Sequence, residues 1–122
     1  MRQLTIYHNP RCSKSRATLE LLTSRGYSPR VIHYLETPPS PADLEKLLTL
    51  LAAGPRDLLR REEAEYSDLG LGDPKLTRAQ LIAAIAAHPR LLQRPIVVAG
   101  DTAAIGRPPE AVLMILPASR DG

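Results

Sequence analysis

From Leu4 to Leu35 the apolar pattern changes period twice, which restricts the chain to folds containing a βαβ unit. Leu4, Thr5, Ile6 and Tyr7 alternate as a short strand, and Asn9-Pro10 breaks it. A helix is predicted next, capped by Ser13 or Ser15. Leu19 and Leu22 lie three apart on one face, Leu21 widens that stripe, and Gly26 supplies the stop. Arg30 to Leu35, with Val31, Ile32 and Tyr34, reads as a second strand ended by Thr37-Pro38-Pro39.

The middle of the chain reads as helical. Ser40-Pro41-Ala42-Asp43 provides a cap, a first-turn proline and an early acid before Leu44, Leu47, Leu48 and Leu51, and Gly54-Pro55 is the expected end. A short helix from about Arg56 to Glu63, a loop around Gly70 and Gly72, and a helix opened by the Thr77/Gln80 capping box and stopped at His88-Pro89 follow. Ile96 to Ala99 and Thr102 to Ile105 read as a hairpin turning at Gly100-Asp101, and Pro108-Pro109 opens a last helix, Glu110 to Leu116. The order βαβ, helices, ββα predicts one α/β domain over residues 1–122.

Its core must be aliphatic, since the 122 residues include four Tyr and no Phe or Trp. A chain of this size buries roughly two-thirds of the surface its unfolded form exposes, so folding calls for no staple. No apolar run approaches the roughly 18 residues of a membrane span, and Met1 to His8 is too short and too polar for a signal peptide, so a cytoplasmic location is expected. One cysteine forms no internal disulfide, and His8, His33 and His88 show no metal-ligand spacing. A net charge of +3, interspersed acids and no aromatic platform disfavour nucleic acid.

Cys12 carries the chemical signal. It falls in the turn between the first strand and first helix, where free backbone N–H groups and the helix dipole favour a negative charge. Arg11, Lys14 and Arg16 lie near it in sequence and His8 adds charge when protonated, all of which favour a thiolate. The same N–H array suits an incoming oxyanion. Two plainer readings stand beside these: Cys12 as a buried small hydrophobe and His8 as a strand-end histidine bonded to backbone.

The run Tyr7-His8-Asn9-Pro10-Arg11-Cys12-Ser13-Lys14-Ser15-Arg16 resembles the active-site loop of the glutaredoxin-coupled arsenate reductases, the ArsC-like family. Further matching segments are Tyr34-Leu35-Glu36-Thr37-Pro38, Leu58-Leu59-Arg60-Arg61, Arg94-Pro95-Ile96-Val97-Val98 and Gly106-Arg107-Pro108-Pro109-Glu110. The resemblance implies a thioredoxin-like, mixed four-stranded sheet with a helical insertion between strands 2 and 3. It also implies a cis-proline at Pro95 facing Cys12, and three oxyanion-binding arginines at Arg60, Arg94 and Arg107. Arg61 competes with Arg60, because one residue along a helix turns the side chain by about 100°. The loop here reads Ser-Lys-Ser-Arg after Cys12 where established members tend to have Gly-Thr-Ser-Arg, and the chain runs only to Gly122 where they carry a longer tail. It looks closer to the arsenate-reductase-like branch.

By that resemblance Cys12 attacks arsenate, glutathione serves as co-substrate, glutaredoxin regenerates the thiol, and a monomer without bound cofactor or metal does the work. Two other functions stay open. One is a glutathione-linked thiol oxidoreductase that reduces no oxyanion. The other is an RNA polymerase-binding regulator of the same fold, although such proteins commonly carry a C-x-x-C switch and Ser15 stands at the position three after Cys12.

Overall fold

The computed structural model describes residues 4–116. Its chain gathers into two compact units, one formed by the segment up to Thr37 together with that from Arg94 onward, the other by Pro38–Gln93.

The first unit is built on a four-stranded sheet of order β2-β1-β3-β4, from β1 (Leu4–His8), β2 (Arg30–His33), β3 (Ile96–Ala99) and β4 (Thr102–Ile105). β1 and β2 run parallel, the direction a helical crossover imposes, while β1/β3 and β3/β4 are antiparallel. Helix α1 (Ser13–Ser24) makes the crossover, and the chain leaves it through Gly26 at φ 89°. Alternation along β1 buries Leu4, Ile6 and His8 on one face. Leu4, Ile6, Leu22, Val97, Ala99 and Val112 form the core, and a 3₁₀ helix at Pro109–Ile115 packs on α1 and β4. That last element was expected as an α-helix. Its N–H groups instead close three-residue rings, as from Ala111 to Pro108 at 2.9 Å.

The second unit holds the expected helical insertion between β2 and β3. α2 (Pro41–Leu51) starts on a full capping box, Ser40 Oγ accepting from the Asp43 N–H and Asp43 returning the bond to the Ser40 N–H. It ends at Ala52, in the left-handed region at φ 54°, two residues before the Gly54-Pro55 stop read from the sequence. α3 (Ala64–Asp68) is one turn long, and α4 (Arg78–Ala87) opens on the Thr77/Gln80 capping box. The helix expected over Arg56 to Glu63 is absent. A 3₁₀ turn at Pro55–Leu58 leads into extended backbone at Leu59, which pairs antiparallel with Leu92. Bonds from the Arg60 N–H to the Leu91 carbonyl and from the Gln93 N–H to the Leu58 carbonyl, both 2.7 Å, satisfy groups that a helix would have satisfied locally. The two neighbouring arginines differ in exposure where the chain leaves Leu59 for a turn. The Arg60 side chain is 15% exposed and Arg61 is on the surface.

Candidate active site

The strand register lines up one row of residues across an end of the sheet. His8 pairs with His33 in the parallel ladder, so Asn9 and Tyr34 come next, side by side. Tyr7 pairs with Ile96 in the antiparallel ladder, which brings Pro95 level with His8 and Arg94 level with Asn9. Ile96 pairs with Ile105, so Gly106 follows beside Pro95 and Arg107 beside Arg94. Two hydrogen bonds continue the ladder: the Gly106 N–H donates to the Pro95 carbonyl at 2.9 Å and Arg107 Nε to the Arg94 carbonyl at 2.8 Å. Tyr34, Asn9, Arg94 and Arg107 thus share one edge, although they come from four separate stretches of sequence. The Arg94–Pro95 peptide is cis, as is Arg107–Pro108.

Cys12 stands at this edge because α1 begins there. Its N–H closes a turn onto the Asn9 carbonyl at 3.0 Å, and Cys12 itself is the N-cap, with no side-chain capping bond. The serine caps expected from the sequence are therefore corrected. Ser13 is the first helical residue and exposed, and Ser15 is buried with its hydroxyl turned back toward β1. A sulfur at the N-cap faces N–H groups that have no carbonyl four residues back, and their dipoles favour its anionic form.

Burial works to raise the Cys12 thiol pKa, but the Ser15 N–H, the Arg94 guanidinium hydrogen bond, the Lys14 N–H and the Arg94 charge together hold it below the ordinary value. Arg107 adds a contact, Nη2 lying 3.7 Å from Sγ. The cations at the sulfur are therefore Arg94 and Arg107. Arg11, Lys14 and Arg16, which the sequence suggested, act otherwise: the Arg11 N–H donates to Asn9 Oδ1 at 3.0 Å, Arg16 Nη1 donates to the Pro10 carbonyl at 2.9 Å, and Lys14 contributes its backbone.

His8 does not supply charge. Burial, then His33, then Arg16 lower its pKa from 6.5, which keeps the imidazole neutral at neutral pH. Its Nδ1 lies 2.7 Å from Ser15 Oγ, and that oxygen accepts the Asn9 N–H at 3.0 Å, so one buried serine ties the end of β1 to the first turn of α1. The proton in the His8–Ser15 bond sits on either partner according to the tautomer. Among the described residues no group of three or more His, Cys, Asp or Glu is placed to hold a metal, and no helix is long and apolar enough to cross a membrane.

A partly buried thiol with a lowered pKa, two guanidinium groups and the first-turn N–H groups of α1 together make a nucleophile with the features of an anion site. Among known families, the model described as "ArsC family" matches residues 7–115. This chain belongs to the ArsC family. It is 45% identical over 122 residues to a protein named arsenate reductase from Escherichia coli strain K12, covering 100% of this chain and 86% of that protein. It is 51% identical over 116 residues to a protein named "Uncharacterized protein YfgD" from the same strain, covering 94% of this chain and 98% of that one. Among solved structures, "Arsenate reductase from Vibrio cholerae" is 50% identical with a TM-score of 0.92, covering 94% of this chain and 98% of that one. The fold is accordingly the thioredoxin-like α/β arrangement of that family.

Of the three arginines expected at the site, Arg94 and Arg107 stand at Cys12. Arg60 belongs to the other unit, where Nε lies 3.4 Å from Glu63 Oε2 and Nη2 3.9 Å from Glu62 Oε1; Glu63 also pairs with Arg90 at 3.3 Å. One member of the edge row carried no role in the sequence reading. Tyr34 was seen as a strand residue, whereas β2 ends at His33 and Tyr34 is fully buried beside the site. The available signals were its place in a family-matching segment and the register of the parallel strands.

Proposed function

We propose that this chain is a cytoplasmic arsenate reductase that draws its electrons from glutathione and is regenerated by glutaredoxin. The observation that carries the reading is Cys12 Sγ at the start of α1 with Arg94 and Arg107 beside it, a thiolate and an oxyanion site in one place. The relatives named arsenate reductase support the choice of anion.

In the proposed reaction the Cys12 thiolate attacks arsenic(V), a sulfur–arsenic bond forms, and one arsenic–oxygen bond breaks as that oxygen leaves with two protons as water. Arg94 and Arg107 neutralise the oxyanion as it loses solvent, assisted by the Lys14 and Ser15 N–H groups. A glutathione thiolate then attacks the Cys12 sulfur. As the Cys12–glutathione disulfide forms, the sulfur–arsenic bond breaks and its electron pair stays on arsenic, so the two sulfurs are oxidised by two electrons and arsenic(III) departs as arsenite. Glutaredoxin attacks the glutathione sulfur of the mixed disulfide and returns Cys12 as thiolate. With a single cysteine in the chain, the resolving thiol has to come from outside.

The test is arsenate-dependent NADPH consumption with glutathione, glutaredoxin and glutathione reductase. A rate that vanishes in Cys12→Ser is expected. Equal rates in wild type and variant defeat the proposal. Reduction of glutathione mixed disulfides by Cys12 with no arsenate-dependent rate assigns the protein to general thiol exchange instead.

A further inference from the structure

Tyr34 Oη is buried and makes no hydrogen bond within the protein, yet it sits among the groups of the active site. Such a group is uncommon, because a buried hydroxyl without a partner forfeits the hydrogen bonds it made in water. The side chain lies where β2 ends, next to Asn9 in the edge row. Asn9 and Arg94 approach the phenol oxygen as donors and Cys12 lies close enough to act on its ionisation, but none of them meets hydrogen-bond geometry with the hydroxyl or accepts its proton. What is missing there is an acceptor, and an anion seated on Cys12 extends its oxygens beyond the sulfur.

Resting on the oxyanion-reductase reading, we propose that Tyr34 is a further substrate-binding residue, its phenol donating a hydrogen bond to an oxygen of the tetrahedral oxyanion held at Cys12. The row then offers a bound anion two kinds of donor: charged forks from Arg94 and Arg107, and a neutral hydroxyl from the opposite end. Burial raises the Tyr34 pKa against the opposing influence of Arg94, so the phenol keeps the proton it must donate. A neutral donor also favours an anion oxygen that retains lone pairs over the thioether-like sulfur of a mixed disulfide. That difference separates oxyanion binding from simple thiol exchange.

The experiment uses Cys12→Ser protein, which cannot turn over, and measures arsenate binding by calorimetry with Tyr34 intact and with Tyr34→Phe. Loss of one hydrogen bond to a charged acceptor is expected to weaken arsenate by about tenfold to a hundredfold. The melting temperature should hold or rise, since the removed hydroxyl had no partner to lose. Independently of stability, protein labelled with 3-fluorotyrosine should show the ¹⁹F resonance that disappears in Tyr34→Phe shifting on arsenate addition. Equal affinity in both proteins, or a resonance that ignores arsenate, overturns the role of Tyr34 while leaving the arsenate reading intact. Failure of the Cys12→Ser protein to bind arsenate at all removes that reading and this one with it.

Discussion

Substituting Gly106 by Ala tests whether the sheet edge is held at the spacing described above. A Cβ built at Gly106 meets Thr18 Oγ1 at 2.6 Å, Pro95 Cγ at 2.8 Å and Thr18 Cγ2 at 3.3 Å, whereas ordinary contact begins near 3.4 Å. Neither neighbour yields easily. The Pro95 ring is buried and closed, and Thr18 is fully buried with Oγ1 donating to the Lys14 carbonyl at 2.8 Å, so rotating it breaks that bond. The gap must open by about 0.8 Å on one side and 0.6 Å on the other, which places Gly106→Ala among overpacked substitutions costing roughly 1–3 kcal/mol. For 122 residues an unfolding entropy of about 2.1 cal/mol/K per residue turns each kcal/mol into about 4 °C, so a fall of about 4–12 °C in melting temperature is expected by calorimetry. Adding Thr18→Ala removes the nearest obstruction. The double variant should therefore be more stable than the two single losses predict, by about 0.5 kcal/mol or more. Because α1 starts at Cys12 and Pro95 follows Arg94, whose guanidinium lowers the thiol pKa, alkylation of the thiol at neutral pH should slow as well. A melting temperature within about 1 °C of wild type, or losses that simply add, would refute the packing argument.

Two further outcomes follow from the charges around the thiol. Arg107 Nη2 lies 3.7 Å from Sγ on an exposed side chain, so its attraction is close to the water limit of about 1 kcal/mol; Arg107→Gln should slow iodoacetamide alkylation about fivefold at low salt and at a pH below the thiol's titration, with the difference fading in 1 M salt. Equal rates at low salt would take Arg107 out of the site. His8 is held below 6.5 mainly by burial, so on acidification the unfolded chain binds its proton first and folded stability declines from about pH 6.5 down to the lowered folded value. A plot of melting temperature against pH should lose that part of its slope in His8→Gln; an unchanged slope argues that His8 is not buried in its neutral form.

The parts of this fold that were legible in the sequence are those fixed by local pattern. Alternation gave β1, a compact apolar run and the Gly100-Asp101 turn gave the β3–β4 hairpin, three- and four-residue spacing gave α1, α2 and α4, and two capping boxes appear where Ser40/Asp43 and Thr77/Gln80 marked them. The segment after Pro55 was misread because its hydrogen-bond partners at Leu91 to Gln93 lie more than thirty residues away, and no local periodicity records such a pairing. At the site, Cys12 was legible from its strand-to-helix position, and Arg94, Arg107 and Pro95 from family resemblance. Arg11 and Arg16 were assigned to the thiolate because they are near it in sequence, yet the register of β3 and β4 decides which cations reach the sulfur. Tyr34, read as a strand residue in a family-matching segment, is given no role at the site for the same reason.

The two sources of thiolate stabilisation differ in what they permit. Backbone N–H groups at Lys14 and Ser15 come with the start of α1 and would favour an anionic sulfur whatever side chains surrounded them, so they suit any thiol chemistry. Arg94 and Arg107 are added by the register, and a one-residue slip of β3 against β1 would send Arg94 to the opposite face of the sheet. The helix start therefore supplies part of the thiolate's stabilisation by itself, whereas the proposed recognition of a tetrahedral oxyanion needs the helix and the correctly registered edge together. Variants that disturb the edge without moving Cys12 should consequently lose arsenate-dependent turnover before they lose alkylation of the thiol. Parallel loss of both across such a series would mean that the edge row merely supports α1 and recognises no anion.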